Sequence, residues 1–105
     1  MTLIGVVLLT LTILLEVAGA TCMKLSNNFA NPLPSVLLFL FYSSSFTLFT
    51  FALKYWQLSV AYAVWSGVGT ALTAVIGILV FGDVLKAVHF AGIACIIGGV
   101  VLLNL

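Results

Sequence analysis

Hydrophobic residues run along this chain in four long blocks separated by short polar connections: about 3–23, 34–53, 60–81 and 87–105. Each block is close to the roughly 20 residues that a helix needs to cross a bilayer. No stretch alternates with the two-residue period of a strand, which excludes a barrel and leaves helices as the way to satisfy the backbone in lipid. The pattern therefore predicts an all-α integral membrane protein, with one transmembrane domain over 1–105 made of four transmembrane helices. The first block has no basic leader and no convincing cleavage site, so it reads as the first span and not as a removed signal peptide. Between the first two blocks, LSNNFANPLP supplies the Asn and Pro residues that end one helix and start the next, and its shortness predicts antiparallel neighbours.

Composition narrows the class further. The chain has 105 residues, of which 65% are hydrophobic and 5% charged, with a mean hydropathy of +1.43, whereas soluble domains carry about a quarter charged residues. Three lysines, two carboxylates and one histidine leave a net charge of +1. With four spans, Lys54 and the N-terminus face one side, and Lys24 and Lys86 the other. That is almost no positive-inside bias, and it is compatible with insertion in either direction. Cys22 and Cys95 are isolated and read as small apolar residues. No phosphate-binding glycine loop, CxxC pair or Ser/His/Asp set is present, so no enzyme, metal site, cofactor or nucleic-acid partner is expected.

The polar residue that changes this picture most is Glu16, the only Glu, which lies deep in the first block. A carboxylate near mid-bilayer costs about 2.5 to 3.5 kcal/mol on insertion scales, so it needs a partner or a task. Loss of water disfavours the charged form of a carboxylate, which makes such a group a candidate to take up and release protons. Once ionised, it is also a counter-charge for a lipophilic cation. The structural alternative is a neutral Glu hydrogen-bonded between helices. On a helix Glu16 shares its face with Leu9, Thr12, Gly19, Ala20 and Met23. The small residues Gly19 and Ala20 leave room for a helix or a ligand to approach.

The second block carries an aromatic stripe at Phe39, Tyr42, Phe46 and Phe49, with Ser45 beside it. In lipid, a Tyr next to three serines points to the wall of an amphipathic cavity, with plain packing as the alternative. Lys54, Tyr55 and Trp56 read as an interfacial anchor. In the third block Tyr62, Trp65, Ser66 and Gly69 share a face. Tyr62 offers a hydroxyl to an ionised carboxylate, and Trp65 offers the best ring for a cation. Gly67 and Gly69 are candidate hinge positions, or else points of close helix packing. Asp83 and Lys86 read as a solvated pair, and His89 as interfacial. Gly92 and Gly99 place small residues on one face of the last block, an association surface.

Taken together, LLEVAGATCMKLSNNF, LPSV, AYAVWSGVGT and GIACIIGGVVLLN resemble the small multidrug resistance family of four-helix transporters over nearly the whole chain. The embedded E-V-x-G, the M-K-x-S that follows and the A-Y-A-x-W-S-G-x-G block carry the resemblance. It implies a functional antiparallel, dual-topology dimer of eight helices in the bacterial plasma (inner) membrane. It also implies proton-coupled antiport of cations through a cavity open alternately to each side. The role shared by protons and substrate falls on Glu16, and substrate-binding roles fall on Tyr42, Phe46, Tyr62 and Trp65. Thr12, Gly19, Ala20 and Ser45 lie near that site, Gly67 and Gly69 at the hinge, and Gly92 and Gly99 in the dimer contact. The small residues after Glu16 resemble the quaternary-ammonium exporters, whereas guanidinium exporters tend to a Trp there. Ala20 stands where the drug exporters often have Thr. The LSVAYA stretch also resembles members that work as heterodimers, including polyamine exporters.

Three readings remain at this point. The leading one is a proton-coupled antiporter of hydrophobic or quaternary ammonium cations, functioning as a homodimer in membrane lipid. The second is a narrow exporter of guanidinium or polyamine cations, or one subunit of a heterodimeric pair. The third, from another class, is a structural or regulatory membrane subunit without transport.

Overall fold

A computed structural model describes residues 3–105. The described chain forms four helices, α1 Leu3–Leu25, α2 Pro32–Ala52, α3 Leu58–Phe81 and α4 Ala87–Leu103. The four-helix architecture expected from the hydrophobic pattern is the one that forms. The first three helices are long and apolar enough to span a membrane, and α4, at 17 residues, is a shorter apolar helix.

Local chemistry sets the boundaries. Asn31 is extended and Pro32 follows it at the start of α2, where a missing N–H costs nothing and the proline φ is already helical. The α1–α2 connection turns through three left-handed residues in a row, Asn27, Asn28 and Phe29, with φ of 48°, 58° and 68°. Asn tolerates this region and Phe does so less readily. The turn is held from both sides: the Asn31 N–H donates to the Ser26 carbonyl at 3.0 Å and Asn31 Nδ2 to the Leu25 carbonyl at 2.8 Å. The Phe29 ring stacks on Phe39 at 6.2 Å. At the far end of α3, Gly82 adopts φ 69°, a conformation that glycine reaches without a Cβ penalty.

Helix α1 is the centre of the bundle. It packs on α2 along one side and on α3 along another, and α4 packs on α3. Leu9, Ile13 and Val17 of α1 meet Phe49 of α2 and Ala61 of α3 in the buried core. Such contacts gain little from the hydrophobic effect in lipid, so close approach and polar links carry more of the association. Ser45, fully buried, donates from Oγ to the Thr12 carbonyl across the α1–α2 seam at 2.7 Å. Trp56 Nε1 donates to the Gly5 carbonyl at 3.0 Å. Trp56 is therefore half-buried and ties the α2–α3 connection to the first turns of α1, a more specific task than the interfacial anchor expected of it. Helix α4 contributes no buried residue, and its outer face is bare.

Candidate functional site

Glu16 projects from the middle of α1 towards α3. Its Oε2 has under 1 Å² of exposed surface and no hydrogen-bond partner. The carboxylate fits there because position 69 is glycine: Oε2 lies 2.7 Å from where a Gly69 Cβ would stand, closer than real Cβ atoms allow. Any side chain at 69 would displace it. Gly69 is thus a seat for Glu16, and α3 runs as an unbroken helix through both Gly67 and Gly69. Gly67 makes a different close approach, since a Cβ there would stand 2.8 Å from a Val100 methyl and 2.9 Å from an Ile96 methyl of α4.

An open groove of about 420 Å³ runs beside the carboxylate, lined by Glu16, Ala20, Thr70, Thr73, Ala74 and Asp83. A larger groove of about 620 Å³ lies between α3 and α4, with Ser66, Gly67, Thr70 and Gly99 among its walls. It has no ionisable side chain, so the chemistry belongs to the Glu16 groove. Thr70 faces both.

Of the aromatic residues singled out in the sequence, Tyr42, Phe46, Tyr62 and Trp65 come together as one array, whereas Phe39 stacks on Phe29 instead. Tyr42 stacks with Phe46 at 6.3 Å, Phe46 lies 5.8 Å from Trp65, and Trp65 lies 5.6 Å from Tyr62. Phe49, left outside the predicted site, is central here, 5.3 Å from Trp65 and edge-on to Tyr62 at 6.5 Å. The array approaches Glu16 at two points. Tyr42 lays its ring against Gly19, with ring carbons 3.0 Å from where a Cβ would be, one turn along α1 from Glu16. Trp65 precedes the Gly69 seat by one turn of α3, and its buried Nε1 has no hydrogen-bond partner. Phe46 and Tyr62 are more than half exposed, so one side of the array stays open.

Other predicted positions have different duties. Thr12 and Ser45 are fully buried in the α1–α2 seam, with Thr12 Oγ1 donating to the Leu9 carbonyl at 2.7 Å; neither lines the Glu16 groove, whereas Ala20 does. Nothing lies within 4 Å of a Cβ placed at Gly92 or Gly99. Asp83 does not pair with Lys86: among the described residues no lysine comes within 4.0 Å of a carboxylate. It lines the Glu16 groove instead. Lys86 donates its backbone N–H to His89 Nδ1 at 3.1 Å, so His89 caps the start of α4. Among the described residues no three His, Cys, Asp or Glu side chains gather to hold a metal ion.

A half-buried Glu16 whose enclosed Oε2 has no partner thus stands beside an open groove and an aromatic array on a three-span core. The family model described as Small Multidrug Resistance protein matches residues 4–96. The chain belongs to the small multidrug resistance family. Among similar proteins, multidrug resistance protein EbrB of Bacillus licheniformis is 46% identical over 95% of this chain and 84% of its own length. Multidrug resistance protein EbrA of the same organism is 45% identical over 96% of both chains. The nicotine metabolites export pump subunit NepA of Paenarthrobacter nicotinovorans is 39% identical over 93% of this chain and 84% of its own. As a small multidrug resistance protein, the chain is a multi-pass membrane transporter of the bacterial plasma membrane, and not an enzyme.

Proposed function

We propose that the protein is a proton-coupled antiporter that exports hydrophobic and quaternary ammonium cations by alternating access, with Glu16 shared by protons and substrate. The observation that carries this reading is the orphaned Glu16 Oε2, which has no hydrogen-bond partner yet borders an open groove. A structural Glu would spend its oxygens on neighbours, because an unmet buried polar atom costs about 1 to 3 kcal/mol. A protonated carboxyl is tolerated in that seat, and an ionised one needs a cation. Proton and cation therefore compete for one group, and that competition couples their fluxes.

Tyr42, Phe46, Tyr62 and Trp65, with Phe49, supply the faces against which a delocalised cation packs. The open flank of the array and the bare α4, with Gly92 and Gly99 uncovered, support an antiparallel dimer in which two Glu16 groups share one cavity. Gly67 and Gly69 act in this reading as points of close approach that let α3 slide between two packings. The test is reconstitution: a proton gradient imposed on proteoliposomes should drive tetraphenylphosphonium accumulation, and Glu16→Gln should abolish it. Accumulation that survives Glu16→Gln contradicts the reading.

A second reading, one half of a heterodimer, is supported by the near-equal identity to EbrA and EbrB across almost the whole chain. Expression of this chain alone separates the two, since a homodimer transports without a second gene product. A guanidinium-selective exporter is separated by comparing guanidinium with tetraphenylphosphonium in the same vesicles.

A further inference from the structure

The groove beside Glu16 ends at a second carboxylate. Past the end of α3 the chain doubles back through the left-handed Gly82, and the Asp83 N–H donates to the Gly77 carbonyl at 2.9 Å. This brings the Asp83 carboxylate over Gly77, with Oδ2 2.5 Å from where a Cβ would stand. Gly69, Thr73 and Gly77 recur at every fourth position and so share one face of α3. The two glycines lie about 12 Å apart along the axis: the inner one seats Glu16 and the outer one seats Asp83. Thr73 stands between them, its Oγ1 donating to the Gly69 carbonyl at 2.6 Å, which leaves both lone pairs of the hydroxyl oxygen able to accept.

Asp83 and Glu16 line the same groove. Asp83 also faces an adjoining cavity of about 130 Å³ shared with Thr21, Lys24 and Thr73. Unlike Glu16 it is exposed. The backbone bond to Gly77 and the missing side chain at Gly77 bring its carboxylate there, and a carboxylate at a groove mouth sets the local potential that a cation meets on entry.

We propose that Asp83 is an outer station for organic monocations, drawing a cation from water into the mouth of the α1–α3 groove and passing it inward to Glu16. Lys24, on the wall of the adjoining cavity, acts with the opposite sign. The proposal rests on the reading of Glu16 as the inner site. In an antiparallel dimer each copy presents its Asp83 to a different side of the membrane, so each opening has one outer station. A charge at the mouth lowers the barrier to entry and exit alike and leaves the inner equilibrium almost unchanged.

The test is stopped-flow tryptophan fluorescence of full-length protein in uncharged micelles, following tetraphenylphosphonium at low ionic strength. Asp83→Asn should slow association about fivefold, the factor expected for losing one close unit charge in water. Dissociation should slow in parallel, so that the dissociation constant holds. Lys24→Gln should accelerate both rates, and Asp83→Glu should keep the original ones. Each difference should fade towards about 1 M salt, where the screening length is about 3 Å. An unchanged association rate in Asp83→Asn overturns the proposal, as does a change that salt does not screen. If Asp83→Asn fails to fold, absence of acceleration in Lys24→Gln overturns it equally. Failure of the inner site would look different: tetraphenylphosphonium would bind Glu16→Gln as tightly as the parent.

Discussion

The carboxylate of Glu16 and the missing side chain of Gly69 occupy the same space: Oε2 lies 2.7 Å from the position a Gly69 Cβ would take. Two helices thus meet through a functional group on one and an absence on the other. Gly69→Ala should displace the carboxylate while sparing the fold, because the clash falls on the end of a flexible side chain and Ala favours a helix by about 1 kcal/mol over Gly. Tetraphenylphosphonium affinity should drop by about tenfold or more, equivalent to about 1.4 kcal/mol or more, with helical content and melting temperature retained. Equilibrium binding and circular dichroism on one sample check this, and unchanged affinity would contradict the seat.

Trp65 offers a second separation of site from scaffold. Its Nε1 has no partner, so Trp65→Phe breaks no internal hydrogen bond while keeping an aromatic ring against Phe46 and Phe49. Weaker cation–π attraction should cost about 0.5 to 2 kcal/mol of binding to a quaternary ammonium, read as a rise in the dissociation constant with little change in thermal stability. A large fall in melting temperature with unchanged affinity would make Trp65 a packing residue only.

The face of α4 yields a prediction about assembly. A Cβ added at Gly92 or Gly99 meets nothing within 4 Å inside the chain, and replacing either glycine by Leu should leave a folded, helical subunit. If that face is the dimer contact, Gly99→Leu should nonetheless shift the protein to monomers and abolish transport. Light scattering of the detergent-solubilised protein decides it, since an intact dimer in that variant rules the contact out.

How much of this was legible in the sequence depended on how local each signal was. Hydrophobic block length and the Asn–Pro and Gly breaks act within one helix or turn, and they were enough for the four-helix architecture. Glu16 was conspicuous because a carboxylate in an apolar block has no inexpensive explanation. The role of Gly69 was not legible: a glycine that bends a helix and one that makes room for a neighbour's side chain look alike in one dimension. Ser45 looked like a cavity residue and proved to be a link to the Thr12 carbonyl, a partner 33 positions away that no local pattern announces. Asp83 was misread for a related reason. Its spacing from Lys86 suggested a solvated pair, but the left-handed turn at Gly82 folds it back over α3. The one available signal, a glycine every eighth position on the α3 face, gains meaning only when carboxylates are seen in both notches.

If one carboxylate position serves proton and cation in turn, calorimetry of tetraphenylphosphonium binding will detect the exchange. In the proposed dimer two Glu16 groups share one cavity and disfavour each other's charge, so their protons should leave in two steps that belong to the pair. Deprotonation creates the counter-charge, so affinity should rise with pH through that range. Within it, binding should release protons, and the measured heat should then vary with the ionisation enthalpy of the buffer. Proton release that peaks between the two steps and disappears in Glu16→Gln is the predicted result. A heat independent of buffer across that whole range would contradict it.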